Sequence, residues 1–343
     1  MGSPITDLLT AQEVRLADLK GKTLAVDTFN QLYMFLATIR QPDGTPLKDS
    51  HGNVTSHLSG LFSRFTKLMI EGVRFVFIFD GIAPDLKRTE QRRRSKAKED
   101  AMLKLEEATQ KEDVESMRKY AARTSRLDPS MIADAKRLIT CLGMSIIEAP
   151  SEGEAQASQL VKEGTCYAVM SQDADSLLFG SPRLIKNLTI SQRRRQTGTA
   201  AYSQIRPALI DLSANLQTLG ISQEQLITLG MLVGTDYNWG GIKGIGPKKA
   251  LKLIKDSKNI EEAFEAAAWT QHCDVDWKDI MNLFTHMPVQ SDIKPSFGKI
   301  DIEGVLDLMV RDHDFDVERI RNTMSKLTED KTRNQTSLDG FMR

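Results

Sequence analysis

Residues 146–180, IIEAPSEGEAQASQLVKEGTCYAVMSQDADSLLFG, place Glu152 and Glu154 just past one strand-like apolar run and Asp173 and Asp175 just past another. Elsewhere Asp27 follows the buried-strand run Thr23–Val26, and Asp80 follows Arg74–Phe79, the clearest strand in the chain. In open α/β sheets the carboxyl ends of strands are where ligand sites gather. Carboxylates brought within about 4 Å of one another repel by roughly 4 kcal/mol per pair at an effective dielectric near 20. Such a cluster needs shared protons or a multivalent cation, and hard oxygen ligands suit Mg²⁺ or Mn²⁺. Each acid also has a plainer reading. Ser151-Glu152-Gly153-Glu154 fits a capping box, with Ser151 as N-cap and Glu154 reaching back, and Asp173 and Asp175 fit turn and cap positions. The same placement repeated after several strands favours a site.

Positions 87–98, KRTEQRRRSKAK, hold seven basic residues and one acid, at the start of a charge-rich stretch with few large apolar residues. Helical periodicity without a wide apolar stripe reads as a solvated helical insertion. Its early excess of positive charge, flanked in sequence by the acids, matches a phosphate-binding surface. In residues 220–255 a helix from Gln223 to Leu232 ends at Gly234-Thr235-Asp236. A glycine-dense turn, Gly240 to Pro247, then leads into a helix carrying Lys248, Lys249 and Lys252. Gly244 and Gly246 let the backbone approach a phosphate closely, and a helix opening at Pro247 offers free N–H groups to an anion. This turn reads as a sequence-independent grip on a nucleic-acid backbone. Near the end, Leu338 and Phe341 lie i, i+3 between Gln335 and Met342, so one helical turn would present both to a partner's pocket.

The elements that must position these groups follow from apolar spacing. Residues 7–20 read as a helical lead-in, 28–40 as a helix through Phe29, Leu32, Phe35 and Leu36, 57–70 as a second helix, and 130–143 as an amphipathic third. Met144–Ile147 and Tyr167–Met170 are strands, and Leu177–Phe179 and Arg183–Ile190 continue the sheet. Residues 191–203 read as an exposed loop and 259–327 as mostly helical, with His272, His286 and His313 isolated and structural. Buried strands alternating with helices give an α/β fold with a central, mostly parallel sheet flanked by helices.

Lys plus Arg and Asp plus Glu each total 46 of 343 residues, so nucleic-acid binding cannot rest on bulk charge and must rest on local patches. Cys141, Cys166 and Cys273 are too scattered for a disulfide framework or a thiolate zinc site. MGSPITDLL lacks the basic and apolar segments of a signal peptide, and no apolar run approaches about 18 residues, which predicts a soluble intracellular protein without membrane contact.

The motifs AVDTFNQLYMFLATIRQ, VFIFDGIAPDLK, EAPSEGEAQA, SQDADSLLFG and LVGTDYNWGGIKGIGPKKA, with the tail, make the chain resemble the flap endonucleases in their archaeal form. These are structure-specific 5′ nucleases of DNA replication and repair, and the resemblance covers essentially the whole chain. It implies a PIN-like nuclease fold as a single domain over 1–327, with a helical arch insertion at about 84–130 and a helix-turn-helix-like DNA clamp at about 220–256. A flexible tail, 328–343, would carry a sliding-clamp-binding box formed by Gln335, Leu338, Phe341 and Met342; the family's box usually has a second aromatic where Met342 stands.

The resemblance further implies a metal site of Asp27, Asp80, Glu152, Glu154, Asp173, Asp175 and Asp236, holding two Mg²⁺ for which Mn²⁺ substitutes, and K⁺ at the glycine-rich turn. Lys87 and Arg94 match the catalytic basic residues of the arch, and Tyr33 the family's base-stacking tyrosine. Gly2, Arg40, Arg64, Gly244, Gly246, Lys248 and Lys249 complete the DNA contacts. The implied activity is two-metal-ion hydrolysis at 5′ single-strand/duplex junctions, with 5′–3′ exonuclease activity, in Okazaki-fragment maturation and repair. The implied partners are branched DNA with a 5′ flap and a sliding clamp, met by a monomer in the cytoplasm near the nucleoid. The alternative is a related 5′ nuclease preferring bubbles, junctions or duplex ends. A scaffold that merely kept the fold would lack the acids, and smaller PIN-like RNases would lack the insertion and the glycine clamp.

Overall fold

The computed structural model describes residues 4–110, 126–190, 193–195 and 202–339, with isolated positions between 111 and 125. The strands are β1 (Gln12–Glu13), β2 (Thr23–Asp27), β3 (Arg74–Phe79), β4 (Ser145–Glu148), β5 (Ala168–Met170), β6 (Arg183–Lys186), β7 (Arg193–Arg195), β8 (Tyr202–Gln204) and β9 (Ala208–Asp211). Seven of them form one sheet in the order β1–β9–β6–β5–β2–β3–β4. The run β6–β5–β2–β3–β4 is parallel, while β9 is antiparallel to β6 and β1 antiparallel to β9. The expectation of a mostly parallel sheet therefore holds.

Parallel neighbours need crossover helices, which cover both faces and turn strands into continuous apolar runs. The helices that bear on the site are α1 (Thr28–Thr38), α2 (Arg88–Gln110), α3 (Pro129–Cys141), α4 (Gly153–Lys162), α5 (Asp175–Leu178), α6 (Gln223–Val233), α7 (Pro247–Asp256) and α8 (Val317–Asp339). Side chains alternate along β3: Val76 and Ile78 join the core under α4 and α6, whereas Phe75, Phe77 and Phe79 join the core under α3 and α8. Phe65 packs on Phe75 and Phe77 with ring centroids 4.9 and 4.8 Å away.

Five expectations give way. Residues 7–20 are not helical: two 3₁₀ turns flank β1, a strand of two residues whose pairing with β9 no local period announces. Leu177 and Leu178 belong to the one-turn helix α5 instead of the sheet, both fully buried. The sheet strand begun at Arg183 stops at Lys186. Within 191–203, β7 pairs with β8, so the segment is partly a hairpin, although 191, 192 and 196–201 lie outside the described residues. The C-terminal helix does not break at 328. α8 buries Ile320, Met324 and Leu327 and runs on to Asp339, there being no Gly or Pro to stop it before Gly340. Gln335 and Leu338 ride on that helix; Gly2, Phe341 and Met342 lie outside the described residues.

His313 is structural but not isolated. Its ring nitrogens meet Asp49 at 2.9 Å and Asp134 at 3.3 Å, fastening the loop after α1 to α3. His57 is wholly buried, and burial first, then the nearby His313, lowers its pKa to about 4. Since its folded pKa lies below the unfolded value, stability is full above pH ~6.5 and drains away as pH falls toward 4, by roughly 3 kcal/mol. His57→Leu is expected to shrink the drop in Tm between pH 7 and pH 4.5; an unchanged drop would show that this ring takes up its proton as readily in the folded chain as in the unfolded one. Among the described residues, no helix is long and apolar enough to cross a membrane.

Candidate active site

The parallel strands all end on one edge of the sheet, and that edge gathers the acids. Asp27 closes β2 and caps α1: its Oδ1 accepts from the Asn30 N–H at 3.1 Å, and its Oδ2 from Ser171 Oγ at 3.0 Å. Asp80 stands one residue past β3. Its loop is fastened to 149–151 by Gly81 N–H to Ser151 O at 2.7 Å, Ile82 N–H to Pro150 O at 3.2 Å, and Ser151 Oγ to Ile82 O at 2.8 Å. Ser151 is thereby occupied, and the capping-box reading fails: the N-cap of α4 is Glu152, which makes no capping hydrogen bond.

Helix α4 opens with Gly153, whose N–H donates to Asp80 Oδ1 at 2.7 Å, so the helix's positive end faces this carboxylate. A Cβ at Gly153 would stand 2.5 Å from that same oxygen. Gly153→Ala suits the helix better than glycine yet must displace Asp80. Misplacement of about 1 Å can cost ~100-fold in rate, so activity at this site is expected to fall at least about tenfold while the thermal midpoint stays within a few degrees. Full activity in this variant would show that the Asp80 position is not critical. Across the cleft, Asp173 Oδ2 accepts from Asn30 Nδ2 at 2.9 Å, its N–H donates to Ser171 Oγ at 3.2 Å, and the buried Asp175 starts α5.

The electrostatics report how near these groups are. Burial first, then the charge of Asp80, pushes Asp27 up to about 7. Glu154 is raised well above the usual range by burial, then by Asp175, Asp27 and Asp173 in that order. Enclosure by protein raises Asp80, with Asp236 adding and Lys87 and the Gly153 N–H opposing. Burial also raises Glu152 against the pull of Lys87. Acids from separate elements thus share one cleft. Its ion pairs go to Glu152 and Asp236, not, among the described residues, to Asp27, Asp80 or Glu154.

This donor set fits divalent cations: hard carboxylate oxygens, among them Glu152 Oε1, a buried atom with no hydrogen-bond partner among the described groups. No group of three or more His, Cys, Asp or Glu among the described residues is already poised around an ion. The acids are gathered in one cleft but not set as a coordination sphere.

The basic groups lean into the same cleft. Lys87 Nζ lies 2.5 Å from Glu152 Oε2 and 3.4 Å from Asp236 Oδ2. Burial works against its charge, but Glu152 and Asp236 outweigh burial and raise its pKa. Arg94 donates to Asp236 and, at 2.7 Å, to Glu90. Tyr33, 39% exposed, carries the Lys98 ammonium 4.9 Å above its ring. At the glycine turn, Gly244 has φ +83°, a conformation that favours glycine, and its carbonyl accepts from Lys249 Nζ at 3.2 Å; Gly246 caps α7, and Lys248 is exposed. Arg40 donates to Gly44 O at 2.8 Å and braces its loop, while Arg64 lies half-buried on a π-helical turn, Leu61–Phe65.

Three residues at the site escaped the sequence reading. Asn30 bridges Asp173 and the Gln172 N–H, and Ser171 bridges Asp27 and Asp173. Lys186 ends β6; burial lowers its pKa while Asp173 and Asp175 push back. The rule that found the acids, attention to strand ends, would have found Lys186 too.

A mostly parallel sheet with acids along one edge and a basic helix leaning over them is a nuclease architecture, and two family models match it: the XPG N-terminal domain over residues 4–101 and the XPG I-region over 143–236. The class is therefore that of the XPG-type nucleases. Flap endonuclease 1 of Pyrococcus abyssi is 45% identical over 99% of this chain and 98% of its own length, and that of Pyrococcus furiosus 44% identical over the whole of both. The solved flap endonuclease-1 from Methanococcus jannaschii superposes with a TM-score of 0.75 at 36% identity, covering 97% of this chain and 100% of that one. The chain belongs to the flap endonuclease 1 family.

Proposed function

We infer that this chain is a structure-specific 5′ flap endonuclease, hydrolysing DNA phosphodiesters at 5′ single-strand/duplex junctions in replication and repair. The observation that carries this is the convergence of Asp27, Asp80, Glu154, Asp173 and Asp175 beside Lys87 and Arg94, in a chain so similar to its relatives. We propose that the seven acids hold two Mg²⁺, with Mn²⁺ able to substitute. Bound there, such cations supply Lewis-acid charge against the scissile phosphate and a water nucleophile of lowered pKa.

The chain's own residues do the rest. Asn30 and Ser171 orient Asp173 and Asp27, and the Gly153 N–H orients Asp80. Lys87 and Arg94 leave their carboxylate partners to neutralise charge growing on the phosphate, which favours the transition state over the bound substrate. With a raised pKa, Lys87 acts as a fixed charge and not as a proton donor. Helix α2, the described part of the stretch at about 84–130, guides the 5′ strand, and Tyr33 stacks on an unpaired base. The turn with Gly244, Gly246, Lys248 and Lys249 grips the duplex backbone, where its carbonyls would hold K⁺ and so add positive charge toward the phosphates; Gly2, Arg40 and Arg64 add contacts. The chain works as a monomer in the cytoplasm at the nucleoid, and Gln335, Leu338, Phe341 and Met342 engage a sliding clamp.

One experiment tests the reading: turnover on a double-flap DNA against bubble, four-way junction and blunt duplex, with and without a sliding clamp. Preference for the flap, and stimulation lost when residues 335–343 are removed, is the expected result. A preference for bubbles or junctions moves the chain to a neighbouring specificity, and stimulation that survives the deletion discards the tail assignment.

A further inference from the structure

Trp239 leaves 63% of its surface open to solvent, yet the turn that bears it is firmly built. Buried Asn238 donates to Met231 O at 2.6 Å and accepts from Thr235 Oγ1 at 2.7 Å and the Thr235 N–H at 3.3 Å. Gly241 is packed so closely that a Cβ there would stand 2.3 Å from the Val233 carbonyl carbon. The same turn presents Asp236 to Lys87 and Arg94, three residues away. A large ring left in water adds little to the core, and Trp is enriched at interfaces, where one side of the ring is apolar and the other wet.

One face of the indole is already in use. The Arg93 guanidinium lies 3.9 Å from its centroid, while Arg93 also donates to Glu90 at 2.6 and 2.7 Å. Tyr33 shows the same arrangement, with Lys98 over its ring. Both exposed aromatic rings associated with this cleft are therefore capped by cations from α2, five residues apart on that helix. A guanidinium and a nucleobase are both flat, and both stack on an indole.

The geometry points to Trp239 as a second stacking platform for the DNA, holding Arg93 in the free protein and a nucleobase of the substrate once that base displaces the guanidinium. This rests on the DNA-cleaving reading of the neighbouring acids. It assigns to the turn a role distinct from the backbone grip of Gly244 and Gly246: a contact with the bases themselves, tolerant of sequence because every base has a π-face.

The test uses the full chain, its Trp239→Ala and Trp239→Phe variants, and 5′-flap DNA in EDTA so that nothing is cut. Trp269 is buried and Trp277 is stacked on Phe264, so the Phe variant supplies their background emission. Saturating DNA is expected to quench the wild-type indole but not the Phe variant. Affinity falls about tenfold in the Ala variant and stays within about threefold in the Phe variant, and in Mg²⁺ the loss is carried by KM. Equal affinity in the Ala variant, or a quench that persists in the Phe variant, overturns the inference. So does a lowered thermal midpoint with unchanged affinity, which marks Trp239 as a cover for Arg93 alone. If the wild-type chain neither binds nor cuts flap DNA, it is the reading of the acids that fails instead.

Discussion

Asp173→Ala is expected to abolish cleavage, with a loss of at least about a thousandfold, while DNA affinity changes no more than a few fold. The carboxylate sits where Asn30 Nδ2 holds it, with its backbone N–H donating to the Ser171 hydroxyl, among acids that raise one another's pKa. Removing it takes away a hard oxygen donor and no cation, so the electrostatic attraction for phosphate does not weaken. It also relieves repulsion on Asp27 and Glu154, both of which feel its charge. The thermal midpoint without divalent ions should therefore hold or rise, and stabilisation by added Mg²⁺ should diminish. Single-turnover cleavage, fluorescence anisotropy and a melting curve with and without Mg²⁺ check all three. Retained cleavage would discard the metal assignment at this position.

Lys87→Ala is expected to lower the single-turnover rate by about 100- to 1000-fold, the range found for removing one preorganised hydrogen-bond donor at a developing anion. The same change leaves Glu152 buried beside an empty position, since Lys87 is its ion-pair partner at 2.5 Å. Breaking such a pair destabilises by roughly 3–5 kcal/mol when fully buried, and less here because both ends keep some solvent contact. Lys87→Arg separates the two effects. It restores the charge and most of the thermal stability, but a planar fork cannot reproduce the point contact of an ammonium, so only part of the rate returns. Because the Lys87 pKa is raised, the pH–rate profile of the wild type should show no break from this group through the neutral range. A rate within threefold of wild type in the Ala variant would remove Lys87 from the mechanism.

Much of this site is written in local patterns. Buried strands in a parallel sheet are continuous apolar runs, so their ends are visible and the acids beyond them stand out. The glycine turn is legible for a similar reason, because Gly and Pro punctuate the backbone strongly. What stayed hidden depends on long-range geometry. Ser151 looks like a helix cap until the Asp80 loop is laid against it, and only then does Glu152 become the N-cap. Strand β1 has two residues and no period of its own; it is a strand because β9 lies beside it. Asn30 reads as an ordinary first-turn residue of α1, and only the approach of β5 to β2 gives it Asp173 and Gln172 as partners.

The outer edge of the main sheet joins Gln12 and Glu13 to Leu209 and Ala208, residues nearly two hundred positions apart. Contacts this distant in sequence slow folding, because the entropy of loop closure must be overcome before they form. A chain still leaving the ribosome with Lys186 as its newest residue already carries every acid except Asp236, but has neither strand β9 nor the turn that brings Asp236 to Arg94. The set of seven acids is thus complete only once Asp236 has been made, and the sheet that carries most of them gains its antiparallel edge only after β6.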